Sequence, residues 1–243
     1  MLRSSLRTTW ALKESFRSFA SSRIDLSREF EFQSAEAKDK GRLIDIVLNQ
    51  FIYAEPHSVA LGVTKESATG LVEWMVEKAL HDPYSVALVE KATGKMAGFR
   101  LLSMDYRDSS KIFVPFDLDL EKADEGVQIL VNVLDSVKKE VWTLRPEANK
   151  ILRREITFVT PKHQRKGIAQ HLLHLYLNFD HLRADGVDGI QSEASSHANQ
   201  RLLCKNGYAK LLDSERNQYV RKDGRPVIFP DETKCVQLFY KNL

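Results

Sequence analysis

Residues 157–169 read Thr-Phe-Val-Thr-Pro-Lys-His-Gln-Arg-Lys-Gly-Ile-Ala. The pattern predicts a strand, then a basic turn, then a helix that begins at Gly167. The first N–H groups of a helix have no partner inside the helix, and they carry a partial positive charge that attracts anions. Gly167 lets a bulky anion approach the backbone, and Arg165 and Lys166 add positive charge. The sequence therefore predicts a diphosphate-binding turn here.

Strand and helix patterns alternate on both sides of this turn. The hydrophobic periodicity predicts helices and strands in one α/β domain that covers residues 28–243, after an N-terminal extension of residues 1–27. The predicted strands are 30–33, 85–89, 96–104, 151–160, 189–193, 208–212 and 235–240. The first predicted helix contains Leu43–Phe51 and ends near Glu55, and the second contains Leu71–Met75. The other predicted helices are 124–141, 167–182 and 196–205.

The composition excludes several classes of protein. Of the 243 residues, 43% are hydrophobic and 28% are charged, which is typical of a globular chain and not of a disordered or collagen-like one. The apolar runs are too short for a membrane span. Cys204 and Cys235 are too few for a disulfide framework or a four-thiolate zinc site. His171 and His174 have no partner at a ligand spacing, so we predict no metal site.

The N-terminal residues differ in charge from the rest of the chain. Residues 1–23 hold five basic side chains and one acidic one, so a net charge of +3 for the whole chain leaves the remainder close to neutral. This distribution gives no electrostatic case for nucleic-acid binding. An Arg- and Ser-rich segment with Leu2, Leu6 and Trp10 on one helical stripe predicts a mitochondrial (matrix) transit peptide. The alternative is a basic tail on a cytoplasmic protein.

Gln164-Arg165-Lys166-Gly167-Ile168-Ala169 resembles the acetyl-CoA loop Q/R-x-x-G-x-G/A of the GCN5-related N-acetyltransferase (GNAT) superfamily. A strand precedes the loop and a Leu-rich helix follows it, as in that family. The resemblance implies a mixed, splayed central sheet with helices on both faces. It implies that Gln164 to Ala169 hold the diphosphate of acetyl-CoA as cosubstrate. Phe158 and Val159 would bind the pantetheine, with the Val159 amide as an oxyanion donor.

Glu55 is the candidate general base. It precedes Pro56 at the end of a predicted helix, where a carboxylate opposes the helix dipole, and such a placement suggests a functional role. Glu55-Pro56 also resembles a motif of the arylalkylamine N-acetyltransferase-like branch, in which this Glu is the base. A solvated loop carboxylate is the alternative. Glu193, at the end of a predicted strand, is a second candidate base.

A serine-rich segment, Ser195-Ser196-His197-Ala198-Asn199, resembles the second half of that branch's signature. Ser195 matches its first catalytic-type serine, whereas Asn199 replaces its last one. A role of these residues in positioning or proton relay competes with N-capping of the next helix by Ser195 or Ser196. Leu203 occupies the position where many family members have a general-acid Tyr, and we predict that Cys204 beside it is a packed thiol.

The resemblance implies acetyl-CoA-dependent acetylation of a small primary amine. The alternatives are protein or peptide N-acetylation and a catalytically weak CoA-binding protein. The sequence predicts neither the identity of the amine nor the oligomeric state.

Overall fold

A mixed sheet forms the centre of the protein. The computed structural model describes residues 25–230 and 233–243, and the transit-peptide prediction for residues 1–23 lies outside them. The strands are β1 (Phe30–Ser34), β2 (Val86–Glu90), β3 (Met96–Tyr106), β4 (Lys150–Val159), β5 (Gly189–Ala194), β6 (Ala209–Glu215) and β7 (Cys235–Asn242). Within the described residues they pair in the order β1-β2-β3-β4-β5-β7-β6. Only the β4–β5 pair among them is parallel.

Helices cover both faces of this sheet. They are α1 (Leu26–Glu29), α2 (Lys40–Ile46), α3 (Pro56–Leu61), α4 (Lys65–His81), α5 (Glu125–Leu144), α6 (Ile168–Leu172), α7 (Phe179–Ala184) and α8 (His197–Lys205). Apolar side chains of α2, α4 and α5 share one core with β3 and β4. The segment from α6 to α8 packs on the opposite face. The predicted mixed sheet between two helical layers is therefore confirmed.

The parallel strands β4 and β5 separate halfway along their length. They pair from Ile151 with Gly189 to Arg154 with Ser192, and no further. On its other side β4 stays paired with β3 up to Val159, apart from a bulge that leaves Glu155 without an opposite residue. A bulge bends a strand and increases its twist. Beyond Arg154, β4 therefore has one edge open, and the predicted splay is confirmed.

The predicted helix 167–182 is wrong as a single element, because it is divided into α6 and α7. Tyr176, between them, has a left-handed φ of 60°. The Asn178 side chain accepts hydrogen bonds from two N–H groups of α7 and starts a new helix. The buried Arg100 of β3 donates to the carbonyls of Leu172 and Leu175 where α6 ends. The apolar periodicity continues across the break, so the sequence pattern does not reveal it.

Candidate active site

A large cavity opens at the splay of β4 and β5. Its volume is about 1260 Å³, and α4, α5, the open half of β4, the end of β5 and the start of α8 contribute to its walls. The lining includes ten of the residues that the sequence singled out: Glu55, Phe158, Val159, Gln164, Arg165, Gly167, Ile168, Ala169, Ser195 and Asn199. The fold thus brings the anion turn and the candidate catalytic residues to one space.

The turn before α6 presents a concave row of backbone N–H groups. Arg165 and Gly167 have left-handed φ values of 62° and 79°, and Lys166 between them does not. Such alternation makes successive N–H groups converge into a nest that binds anions. No described residue accepts a hydrogen bond from the N–H groups of 165–170. A Cβ built on Gly167 would meet nothing within 4 Å, so the space above the nest is open.

The side chains of the turn have different roles. Arg165 lines the cavity beside the nest. The Lys166 ammonium instead donates to Glu29 of α1 at 2.7 Å and lies over the Phe30 ring, outside the cavity lining. Gln164 Nε2 donates to the Val159 carbonyl at 3.0 Å, which fixes the turn to the end of β4. Lys166 therefore contributes its backbone N–H, and Arg165 contributes the side-chain charge.

The open edge of β4 carries amides that have no hydrogen-bond partner among the described residues and that point into the cavity. Thr160 N–H donates to the Ala97 carbonyl at 2.9 Å, so Val159 and Gly98 form a non-hydrogen-bonded pair. The amide of Val159 therefore points away from β3, into the splay. The same alternation turns the amide of Thr157 in that direction. Sequence reasoning identified Val159 but missed Thr157, because the register depends on pairing with β3.

Glu55 has a different position in the secondary structure from the one predicted. The α2 segment continues into a π-helical turn, Val47–Phe51, and Glu55 is the N-cap of α3. Its Oε2 accepts hydrogen bonds from the Ser58 N–H at 2.7 Å and the Ser58 Oγ at 3.0 Å. The predicted opposition between this carboxylate and a helix dipole is therefore wrong, since a carboxylate at an N-terminus is favourable. Pro56 at the first helical position starts α3.

The surroundings of Glu55 keep its carboxylate ionised. Its Oε1 accepts a hydrogen bond from His57 Nδ1 at 3.0 Å. Burial raises the pKa of Glu55, but hydrogen bonds from His57 and Ser58 outweigh burial and bring the pKa down to about 2. Glu55 still lines the cavity. It is a strong acceptor of hydrogen bonds but a weak base.

Glu193, the second candidate base, has the opposite electrostatic character. It lies one residue beyond the last β4–β5 pair and lines the cavity. Burial raises its pKa, and the cations of Lys138 and Arg153 offset this only in part. Gln191 Nε2 donates to Glu193 Oε1 at 2.7 Å. A carboxyl group with a raised pKa in a cavity is better matched to proton transfer near neutral pH than one with a pKa of about 2.

Glu155, the bulged residue of β4, faces the same cavity and was missed by the sequence analysis. Its carboxylate accepts hydrogen bonds from Ser103 Oγ at 2.6 Å, Lys78 Nζ at 3.2 Å and Lys138 Nζ at 3.0 Å. Burial would raise the pKa of Glu155, but Lys138 and Lys78 outweigh it and hold the pKa well below its ordinary value. Three distant elements supply these partners, so no local motif marks the group.

In the serine-rich segment, one residue caps α8 and two others line the cavity. Ser196 is the N-cap of α8, with its Oγ accepting from the Asn199 N–H at 3.4 Å. Ser195 and Asn199 line the cavity. The Ser195 carbonyl accepts a hydrogen bond from Arg216, whose guanidinium stacks on Phe229. The cap is therefore Ser196, and Ser195 stays free of that role.

Two other predictions near this segment have different outcomes. Leu203 is fully buried in the core beneath α8, so this position offers no acid to the cavity. The prediction that Cys204 is a packed thiol is wrong, because Cys204 is exposed. The two histidines after the turn have different partners, because His171 packs on Phe32 whereas His174 contacts Tyr208. In residues 25–230 and 233–243, no group of three or more metal-ligating side chains is present.

The described part of the chain contains no helix with the length and apolar character needed to traverse a bilayer.

No family model matches the sequence, and no curated protein sequence matches it either. The fold, however, is that of the GNAT N-acetyltransferases, with the arylalkylamine and polyamine enzymes among the similar structures.

Individual structures match over almost all of their length. Arylalkylamine N-acetyltransferase 2 from Aedes aegypti superimposes with a TM-score of 0.73 at 18% identity, over 88% of this chain and 98% of that one. A Drosophila melanogaster polyamine N-acetyltransferase that forms N-acetylagmatine has a TM-score of 0.71 at 14% identity, over 88% and 100%. The C-terminal condensation domain of Ebony, in complex with β-alanyl-dopamine, has a TM-score of 0.68 at 18% identity, over 88% and 99%. At these identities the likeness establishes the fold.

Proposed function

We propose that the protein is an acetyl-CoA-dependent N-acetyltransferase whose acceptor is a small primary amine. The amine nitrogen bonds to the acetyl carbonyl carbon, the carbon–sulfur bond breaks, and coenzyme A leaves as the thiol. The cosubstrate supplies the activated acyl group. The protein binds both reactants, orients them and accepts one proton from the ammonium group. The arylalkylamine and agmatine specificities of the similar structures support a small amine as acceptor.

The observation that carries this proposal is that one cavity joins the open edge of β4 to the anion nest. Thr157 and Val159 offer amides to the carbonyl groups of an extended pantetheine arm and its thioester. The N–H groups of 165–170 and the Arg165 side chain are suited to a diphosphate. An amide that meets a developing oxyanion in a cavity of low dielectric stabilises the transition state strongly.

Two carboxylates are available to take the proton. The assignment of Glu55 as the base, made from the sequence, stays a prediction. The raised pKa of Glu193 favours Glu193 as the proton acceptor, since a base works best when its pKa lies near the working pH. Glu55, with a pKa of about 2, is suited to orienting the ammonium group or an ordered water.

Activity and binding together test the function. Calorimetry on the full chain should detect acetyl-CoA binding, and a thiol-release assay should respond to at least one amine in a panel of arylalkylamines, polyamines and peptides. Binding without thiol release for any acceptor would indicate a CoA-binding protein instead. Release with peptides alone would indicate a peptide N-acetyltransferase.

The two carboxylates can be separated by matched substitutions. We expect Glu193→Gln to lower kcat by roughly 10²–10⁴-fold and to remove the acidic limb of the pH–rate profile. Glu55→Gln should act mainly on the KM for the amine. The reverse pattern would return the role of general base to Glu55.

A further inference from the structure

The cluster of Lys78, Lys138 and Glu155 is a feature of the cavity that the acetyl transfer described above does not use. All three residues line the cavity. Lys78 is 7% exposed, Lys138 is 16% exposed, and Glu155 is 1% exposed. Glu155 lies two and four residues before Thr157 and Val159 on β4, about 7 and 13 Å at the rise of a strand. The cluster is therefore within the reach of an amine bound at the thioester.

The two lysines of the cluster have unused hydrogen-bond donors, whereas the carboxylate has almost no unused acceptor capacity. Each lysine ammonium has three N–H donors, and each uses one of them on Glu155. The Glu155 carboxylate is already occupied by both lysines and by Ser103. The three side chains carry a net charge of +1. The groups of the cluster that still have unused hydrogen-bond donors are thus the two partly desolvated ammonium groups.

Two of the three neighbouring carboxyl groups are already paired with other cations. Asp105 is paired with Arg153 in a buried ion pair, and Asp135 is paired with Lys139. Glu193 is the remaining carboxyl group beside Lys138, and it becomes neutral when it accepts a proton. Glu193 therefore offsets the net charge of Lys78, Lys138 and Glu155 only while it is ionised, and the positive charge is uncompensated once Glu193 has taken the proton.

Apolar side chains border the cluster within the same cavity. Leu71 and Met75 of α4 and Val131 and Leu134 of α5 line it, and Trp74 lies under the Lys78 ammonium with its ring centroid at 5.4 Å. These walls suit an apolar chain or ring. An acceptor that fits the whole chamber has an amine at one end, an apolar middle, and a charged or polar group at the cluster.

We propose that Lys78 and Lys138 form a subsite for an anionic group, a carboxylate above all, at the end of the acceptor remote from its amine. This inference rests on the proposed function and narrows its substrate class to amines that carry such an anion. A second ammonium group at this position would meet two cations. Polyamines are accordingly disfavoured as acceptors, although they are substrates for a protein of the same fold.

Three acceptors of equal length test the subsite in the full chain. They are 8-aminooctanoate, octylamine and 1,8-diaminooctane, which share an eight-carbon chain and end, away from the first amine, in a carboxylate, a methyl group and a second ammonium group respectively. With coenzyme A present, calorimetry should show that the carboxylate binds about 10- to 100-fold more tightly than octylamine, because a desolvated charge-assisted hydrogen bond has that strength. The diamine should bind most weakly. Equal affinities, or a preference for the diamine, would overturn the proposal.

A substitution attributes the preference to the cluster. Lys138→Met keeps the apolar stem and should abolish the discrimination between 8-aminooctanoate and octylamine. The matched control is Lys122→Met, because Lys122 is 85% exposed and pairs with Asp119 away from the cavity. A discrimination that survives in Lys138→Met would count against the subsite.

Failure of the function and failure of the subsite have different signatures. If no amine is acetylated but the carboxylate preference is present and depends on Lys138, the subsite stands and the acetyltransferase assignment falls. If amines are acetylated with no dependence on the remote charge, the acetyltransferase stands and the subsite falls. The wild-type comparison decides even if Lys138→Met does not fold.

Discussion

Single residues in the cavity differ in chemistry because of a few specific contacts. Glu55 and Glu193 have the same side chain, yet hydrogen bonds from His57 and Ser58 lower the pKa of Glu55, and burial raises the pKa of Glu193. The cavity therefore holds one carboxylate suited to electrostatic anchoring and one suited to proton transfer. The neighbouring groups, and not the residue type, give the two carboxyl groups different pKa values and therefore different roles.

The low pKa of Glu55 makes it a contributor to stability at neutral pH. A carboxyl group whose pKa is lower in the folded state stabilises above its unfolded pKa and loses that contribution as the pH falls toward the folded value. We expect Glu55→Gln to lower the free energy of unfolding by roughly 2 to 3 kcal/mol at pH 7. Urea titrations from pH 7 down to about pH 2 should show the difference between wild type and variant shrinking below about pH 4.5. A constant difference would exclude this linkage.

Gly167 offers a test of the anion nest with an internal control. Gly167 and Gly186 have φ values of 79° and 75°, and neither has an atom within 4 Å of a built Cβ. Alanine at either position should cost about 1 to 2 kcal/mol of stability, because the left-handed conformation is strained. Only Gly167→Ala should also weaken coenzyme A binding, by tenfold or more, since only this Cβ would enter the nest. Equal affinities for coenzyme A in the two variants, measured by calorimetry, would argue against a diphosphate at this turn.

At the scale of elements, the position of α6 depends on a side chain from the sheet. Arg100 is fully buried, and its guanidinium donates to carbonyls of Tyr84, Leu172 and Leu175. These bonds satisfy groups at the C-terminal end of α6 that would otherwise lack partners. They also attach this short helix, and the nest before it, to β3. A helix of five residues would be marginal without such support.

Arg100→Met should therefore affect both stability and the nest. One buried and two partly buried carbonyls lose their donor, which costs about 3 kcal/mol or more. We expect a lower Tm and a weaker affinity for coenzyme A, together with faster amide exchange in residues 168–172. Arg100→Lys should show intermediate effects, since it keeps the charge but has fewer donors in a fixed geometry. If Arg100→Met is less stable but binds coenzyme A as tightly as the wild type, the nest does not depend on the hydrogen bonds of Arg100.

At the scale of the whole molecule, the cavity exists because one sheet is closed along one half and open along the other. The pairing of β4 with β5 stops after Arg154, while β4 continues with β3 and β5 continues with β7. Both strands are thus held from outside, and the gap between them is a stable opening. The long β6–β7 connection then joins the two sides of the cavity, since Arg216 bonds to the Ser195 carbonyl and its stacking partner Phe229 packs on His57.

We propose that the N-terminal residues, which lie outside the described part of the chain, direct the protein to mitochondria. The proposal rests on their Arg- and Ser-rich composition alone. A fusion of residues 1–25 to a fluorescent protein should colocalise with mitochondria. The same fusion with Arg3, Arg7 and Arg17 replaced by Gln should be diffuse. A diffuse signal from the unaltered fusion would contradict the proposal.

The sequence by itself determined the strands of the sheet, most of the helices, and the basic turn that leads into α6. Period-two and period-3.6 patterns are local, and so is the succession of a strand, a basic turn and Gly167, which requires no distant partner. The site residues that matched a local motif also line one cavity, apart from Lys166, whose side chain is drawn to Glu29.

Only the tertiary structure decided where the charges meet. Glu155 acquires Lys78 and Lys138 from two different helices, and Glu55 acquires its low pKa from an N-cap that the sequence placed at the wrong end of a helix. The break between α6 and α7 depends on Arg100, far away in the chain. Long-range pairing, strand register and burial set these properties, and none of the three leaves a periodic signal in the sequence.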